Sequence, residues 1–277
     1  MITIKNWRLN WALGQIFTLA NYKKHSAVLS SPMMFWLALI LKFYPNFYAK
    51  PIILGLKNGG QLLVREFMTL YIYSEIFVEG IYDYPDLGKG EPIIMDIGAN
   101  TGLFTLRMKQ LYPGASIYCY EPFPLNHQDM LTNIKLSNIQ EVSVFQKGIG
   151  SISRIEKLYI NKKNMGGHSL FSSEAGSEEY VNVPILALHE AFNDLKIPYF
   201  DLIKMDCEGA EYEILKSIDT ELASRIGVIV FESTDSVYNL SEVSDHLVNL
   251  GFSIEFKEKS CNFIARNLKG SVATVKN

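Results

Sequence analysis

The sequence predicts an α/β fold: a mostly parallel seven-stranded sheet with helices on both faces, preceded by a helical N-terminal extension. Three observations carry that expectation. From residue 91 onward, strand-like and helix-like segments alternate along the chain. The strand-like runs Ile93–Ile97 and Val228–Phe231 are almost continuously apolar, as strands covered on both faces are. The connecting segments hold the glycines and prolines that end one element and admit the next.

Residues 1–50 read as helical, interrupted at Pro32 and Pro45. Pro51–Leu56 and Gln61–Val64 read as two short strands joined by Lys57-Asn-Gly-Gly60, a good hairpin turn. Leu70–Val78 reads as a helix ending near Gly80. The alternating part then runs strand Ile93–Ile97, helix Leu103–Leu111, strand Ser116–Tyr120, helix Leu125–Leu136 and strand Val142–Gln146. Tyr112-Pro-Gly114 stops the first of these helices, and Pro124 suits the first turn of the second. Arg154–Ile160 and Tyr180–Ile185 read as extended segments around a polar loop, Asn161–Glu179. Helix Leu188–Leu195, strand Phe200–Met205, helix Ala210–Ile218, strand Val228–Phe231 and helix Val243–Leu250 follow. Ser253–Phe256 and Asn262–Ala265 can close the sheet as an antiparallel pair. The expected division is 1–85 for the extension with its hairpin and 86–277 for the sheet domain.

Composition narrows the function classes. The chain has 277 residues, 48% hydrophobic and 12% aromatic, enough for a packed core. A net charge of −3 with scattered Lys and Arg gives no phosphate-tracking stripe, so no nucleic-acid partner is expected. Cys119, Cys207 and Cys261 form no CxxC pair and no disulfide framework, which points to a reducing, cytoplasmic setting. The first 25 residues lack a signal-peptide apolar region. The run Met33–Leu41 has nine residues, whereas a spanning helix needs about 20, so no transmembrane span is expected. A buried helix is the favoured reading, with shallow membrane contact through Phe35 and Trp36 as the lesser alternative. The aromatic-rich first 50 residues also suit burial against a second copy.

The sharpest motif is Met95-Asp96-Ile97-Gly98-Ala99-Asn100-Thr101-Gly102, which follows a buried strand and opens a helix. Gly98 permits a tight turn, and Gly102 lets backbone approach a ligand. This D-x-G-x-x-x-G pattern differs from the G-x-G-x-x-G that wraps a dinucleotide pyrophosphate. An acid just before the glycines suits a cationic amino-acid ligand and repels a pyrophosphate, so Asp96 favours S-adenosylmethionine over NAD. Glu121 ends the next strand, 19 residues after Gly102, where a carboxylate can accept from both ribose hydroxyls. Pro122 and Phe123 follow, and Phe123 is a candidate to lie against adenine, with a core position equally open. Gly148 and Ile149, in the turn Lys147–Gly150, are candidates to border the adenine edge through backbone groups.

At the other end, strand Phe200–Met205 delivers Asp206 and Glu208 into the turn before a helix. Methyl transfer is an in-line displacement, so a protein chiefly supplies alignment and desolvation, with a base where the acceptor is an alcohol. Asp206 and Glu208 are the preferred acid-base or positioning pair, and Asp206 also borders the cofactor. His168, in the loop Gly166-Gly-His-Ser169, and Glu232, at the end of its strand, are weaker candidates. Glu211 and Glu213 read as complements to a helix N-terminus. Carboxylates such as Asp206, Glu208 and Glu232 suit a hard cation, but their spacing does not demand one, and no metal is expected.

With these residues in hand, the chain resembles the FkbM family of S-adenosylmethionine-dependent methyltransferases. The matching stretches are Ile94–Phe104, Tyr120-Glu-Pro-Phe-Pro124 and Asp201–Glu211, with Tyr73–Tyr82 resembling the family's lead-in. The resemblance implies a Rossmann-like class I methyltransferase fold and O-methylation of a hydroxyl on a sugar, glycan or secondary metabolite. It implies that Asp96, Gly98, Asn100, Gly102 and Glu121 hold the cofactor, with Glu75 and Tyr82 at its amino-acid end. Cys207 stands where the family usually has valine, and Leu188-His189-Glu190 replaces its usual Leu-Asp-Asp. A nicotinamide-dependent oxidoreductase and a catalytically silent binding module are the competing classes.

Overall fold

The computed structural model describes residues 7–44, 47–83, 86–88, 90–160, 178–207, 209–232, 240–257 and 262–269. Three helices lead, α1 (Trp7–Gly14), α2 (Leu19–Val28) and α3 (Met33–Phe43). Thr18 caps α2 by accepting the Asn21 N–H at 3.1 Å. Pro32 sits at the N-cap of α3, where its missing N–H costs nothing. Strands β1 (Ile52–Gly55) and β2 (Gln61–Val64) form the expected antiparallel hairpin, with Ile52 opposite Val64.

Helix α4 (Phe67–Tyr73) continues into a π-helical turn, Ser74–Glu79, that Gly80 ends at φ 66°. The spacing predicts one α-helix over Leu70–Val78; the widened turn is invisible to a 3.6-residue period.

The alternating part contains β3 (Ile93–Ile97), α5 (Leu103–Leu111), β4 (Ser116–Tyr120), α6 (Pro124–Leu136) and β5 (Val142–Phe145). A small sheet follows, made of β6 (Gly148–Gly150), β7 (Arg154–Tyr159) and β8 (Tyr180–Ala187) in the order β6-β8-β7. Then come α7 (Leu188–Leu195), β9 (Phe200–Met205), α8 (Glu211–Lys216), α9 (Thr220–Ser224), β10 (Ile226–Glu232), α10 (Leu240–Leu250), β11 (Phe252–Lys257) and β12 (Asn262–Asn267).

The seven-stranded sheet has the order β11-β12-β10-β9-β3-β4-β5. Strands β5, β4, β3, β9 and β10 are parallel, and β12 enters antiparallel between β10 and β11. The chain starts in the middle at β3, builds outward through β4 and β5, then returns to β9 on β3's other side. That reversal opens a crevice at the carboxyl ends of β3 and β9, where such sheets bind ligands.

One face of the sheet shares a core with the N-terminal layer, so Phe35, Leu54, Leu70 and Tyr73 belong with Phe104 and Ile117. The other face packs Met95, Phe200, Ile203 and Phe231 against Ile214 and Leu247. Two expectations change here. Gly148–Gly150 is a buried strand paired with β8, not a simple turn, because backbone pairing asks nothing of the side chain. Phe35 and Trp36 face inward, which removes them as membrane contacts.

Candidate active site

The site grows from how four parallel strands end. Ile97, Tyr120, Met205 and Phe231 are the last or nearly last residues of β3, β4, β9 and β10, and the chain turns just beyond them. After β3 the loop coils tightly, with Gly98, Asn100 and Gly102 at φ 72°, 50° and 83°. The Gly98 and Ala99 N–H groups both donate to the Tyr120 carbonyl, at 3.0 and 3.1 Å. A Cβ on Gly98 would stand 1.9 Å from the Asp206 carbonyl oxygen, so the two crossing loops touch backbone to backbone. Only glycine satisfies both demands.

Between these loops and the π-helical turn lies a cavity of about 300 Å³, at the small end of ligand pockets. One end is built on Glu121, which is buried. Its Oε2 accepts the Asn100 N–H and its Oε1 the Phe123 N–H, both at 2.8 Å. Each oxygen keeps a further lone pair, so the carboxylate can still accept two vicinal hydroxyls. Burial pushes Glu121 up to about 7, against the two backbone donors. Pro122, Gly148, Ile149, Leu158 and Ile185 supply an apolar wall beside it.

The other end is acidic. The Tyr82 hydroxyl donates to Asp206 Oδ2 at 3.4 Å, and its ring meets Phe104 edge-on at 5.2 Å. Glu75, carried by the π-helical turn, is raised to about 7 by burial, opposed by a hydrogen bond with Tyr71 and reinforced by repulsion from Glu79 and Asp206. Glu232 is likewise raised to about 7, by desolvation and then by Asp206 and Glu75. Among the described residues, no group of three or more His, Cys, Asp and Glu is arranged to hold a metal ion.

Asp96 takes a different place from the one its position suggests. It is fully buried, does not line the cavity, and accepts from the Thr105 hydroxyl at 3.0 Å. Lys204, its neighbour across β3 and β9, lies 3.3 Å from Asp96 Oδ1 and 3.6 Å from Asp206 Oδ2, and donates to the Gly98 carbonyl at 2.8 Å. Burial disfavours the Lys204 ammonium, but Asp96 and then Asp206 outweigh that and raise its pKa. The acid before the glycines therefore braces the floor of the site through a lysine.

Phe123 is also displaced. It packs with Leu158, Val183 and Ile185 in a small satellite core, outside the cavity lining. Ala99, Asn100, Tyr82, Glu75, Gly148 and Ile149 all line the cavity, as does Asp206. Gly102 does not line it; it begins α5, and a Cβ there would press on Met130. Glu211 caps its own turn, accepting the Cys207 and Gly209 N–H groups at 2.6 and 2.9 Å, while Glu213 pairs with Arg154 at 3.0 Å. Glu208 and His168 lie outside the described residues. Sequence reasoning missed Lys204, Asn126 and Asn262, all at the cavity. For Lys204 a signal existed: a lysine inside the apolar run Leu202-Ile-Lys-Met205 demands a buried acid, and Asp96 is its cross-strand neighbour.

Comparison with protein families matches residues 96–263 to the Methyltransferase FkbM domain. The chain belongs to the FkbM methyltransferase family. It is 29% identical over 205 residues to Methyltransferase 1 of Beauveria bassiana, covering 66% of this chain and 81% of that one. Methyltransferase sdnD of Sordaria araneosa is also 29% identical, over 66% of this chain and 82% of its own length. The 31-O-demethyl-FK506 methyltransferase FkbM of Streptomyces tacrolimicus is 21% identical over 73% of this chain and 88% of its own. The family fits the sheet order found here, a Rossmann-like class I methyltransferase fold with helices on both faces.

Proposed function

We propose that this FkbM-family methyltransferase uses S-adenosylmethionine to methylate a hydroxyl oxygen on a small-molecule or glycan acceptor, such as a sugar or secondary metabolite. The observation that carries the reading is the two-ended cavity: a buried carboxylate with two spare lone pairs at one end, and Asp206, Glu75 and Glu232 at the other. That set of acceptors fits a ligand bearing a vicinal diol and, some distance away, positive charge. Among the described residues that line the cavity, the one cation is Lys204, which already lies beside Asp96 and Asp206 and so is poorly placed to meet a pyrophosphate. The acceptor's oxygen draws support from two relatives, one whose name describes an O-demethyl substrate and one named a 2-O-methyltransferase.

Bound adenosylmethionine supplies a methyl group on an electrophilic sulfonium. In this reading Glu121 holds the ribose, and the backbone of Gly148 and Ile149 with the Leu158 and Ile185 side chains borders the adenine. Asp206 and Glu75 draw in the ammonium of the amino-acid end. Tyr82 orients Asp206 through its hydroxyl. Glu232, raised to about 7, would take the proton of the acceptor hydroxyl. The apolar residues Met68, Ile72 and Ile76 exclude water from the same space.

Calorimetric titration with adenosylmethionine, adenosylhomocysteine and NAD tests the cofactor, using the parent protein and Glu121→Ala. Micromolar binding of the first two, weakened by the substitution, is the expected result. Binding of NAD alone refutes it. A panel of hydroxylated sugars and metabolites with methyl-labelled cofactor then tests the acceptor; label recovered only on nitrogen would refute the O-methyl reading.

A further inference from the structure

The N-terminal layer has an outer face that its own packing leaves uncovered. Met33, Leu37, Ile40 and Tyr44 recur along α3 at helical spacing and expose 54%, 46%, 67% and 68% of their surface. The link between α1 and α2 continues this strip. Ile16 and Phe17 are exposed there, and the Phe17 ring rests on Trp36 at 5.0 Å while the Gln15 carbonyl accepts from the Trp36 indole at 2.8 Å. At the other end the Lys42 ammonium, donating to the Tyr48 and Lys50 carbonyls at 2.8 Å, folds the exposed Phe47–Lys50 segment back towards α3. Leu19 opens α2, fully one helical turn before Lys23, and both are exposed.

Charge identifies what covers this face. Residues 1–50 hold six of the chain's 26 Lys and Arg and none of its 29 Asp and Glu, leaving 20 against 29 for the remainder. The acidic body thus carries a cationic, apolar cap, with Lys23, Lys24 and Lys50 exposed. We propose that this cap docks on the surface of an anionic lipid bilayer, with the α3 strip entering the interface and the lysines meeting lipid headgroups. A second copy is the poorer occupant, because two such faces would bring only like charges together. The cap lies on the bilayer and does not cross it: α3 has 11 residues, about 17 Å of helix, against a hydrocarbon core of about 30 Å. Trp7 and Trp11 of α1 pack edge-on against Tyr71, both at 5.4 Å, and Tyr71 lines the cavity.

Vesicle sedimentation tests this without any activity measurement. The full chain is spun with extruded vesicles of phosphatidylcholine alone and of phosphatidylcholine with phosphatidylglycerol. Leu37→Glu/Ile40→Glu and Lys23→Glu/Lys24→Glu are run beside it, with thermal melts to check folding. Expected is binding to the anionic vesicles, at least about 10-fold weaker on phosphatidylcholine alone and weakened about 10-fold or more by either pair of substitutions. Absence of binding to the anionic vesicles overturns the proposal, as does unchanged binding by both folded variants. Should sedimentation velocity give a dimer that Leu37→Glu/Ile40→Glu converts to monomer, a second copy covers the face and the lipid assignment fails.

Discussion

Gly98→Ala is the substitution whose cost the structure defines most sharply. Two separate penalties meet at this residue. Its φ of 72° is left-handed, which costs a residue with a Cβ about 1–2 kcal/mol. The added methyl would lie 1.9 Å from the Asp206 carbonyl oxygen, 2.8 Å from its carbon and 3.2 Å from the Cys207 Cα. All three neighbours are backbone, so no side chain can swing aside, and β3 must part from the segment after β9. Overpacking of this kind costs about 1–3 kcal/mol and more where nothing yields. Together the two amount to about 2–5 kcal/mol.

For a chain of this length about 2–4 °C of melting temperature goes with each kcal/mol, so the variant should melt about 10 °C lower. Gly59→Ala supplies the control. Gly59 also has a left-handed φ, 91°, but nothing lies within 4 Å of where its Cβ would be. It should lose only the conformational part, a few degrees. Differential scanning calorimetry on both decides the matter. If Gly98→Ala melts within error of Gly59→Ala, the close approach of the two loops is not real, and the placement of Asp206 beneath the cavity fails with it.

Three further outcomes follow from the charges. Lys204→Met should destabilise the protein by about 3–5 kcal/mol in urea unfolding, because it strands fully buried Asp96; Lys204→Met/Asp96→Asn should recover most of that loss, and failure to do so would show the pair is not coupled. Glu75 and Glu232 are both raised to about 7, so adenosylmethionine and adenosylhomocysteine, which share the ammonium placed beside Glu75 in the proposed reading, should both bind more tightly as pH rises through neutrality and should release protons on binding near pH 7; an affinity that stays flat across that window in calorimetry would count against these acids facing the ligand. His25, stacked on Phe35 at 3.7 Å, is lowered to about 4 by burial and by Lys24, from 6.5. Its neutral form is the folded one, so its contribution is intact above about pH 6.5 and is lost as pH falls towards 4. Proteolysis within α1–α3 should accelerate over that window, and His25→Phe should flatten the dependence.

The sheet was legible because buried parallel strands announce themselves. Ile93–Ile97, Ser116–Tyr120 and Phe200–Met205 begin and end where the apolar runs do, and the helices Leu103–Leu111 and Leu188–Leu195 where their period does. What escaped was structure that side-chain pattern does not encode. Helix α9 has an Asp219 cap but only five residues, too few to show a period. The π-helical turn has helix-forming residues and differs only in hydrogen bonding. In α3 the apolar residues run all round, so the sequence could not say which side the protein covers. Packing against Trp11, His25 and Tyr73 chose Phe35 for the inside and left Leu37 and Ile40 outside.

The same limit governs the acids, and it explains why residues that line the cavity could be named from sequence while their partners could not. Asp96, Asp206 and Glu211 sit in or beside the two densest motifs, and nothing in their types distinguishes them. Partners do. Asp96 is consumed by Lys204 and Thr105, and Glu211 by two backbone N–H groups of its own turn. Asp206 shares Lys204 and still faces the cavity, where Glu75 and Glu232 join it. Among the described residues Lys204 thus stands against Asp96, Asp206, Glu75 and Glu232, and the excess of acids over bases at this end is turned towards the cavity. A site with that surplus would favour a cationic ligand, as the proposed function requires, most of all one whose positive charge lies among the acids. In the proposed reading the acid next to the glycine loop would act on specificity indirectly: by holding Lys204 in the floor, it leaves the surplus to its neighbours.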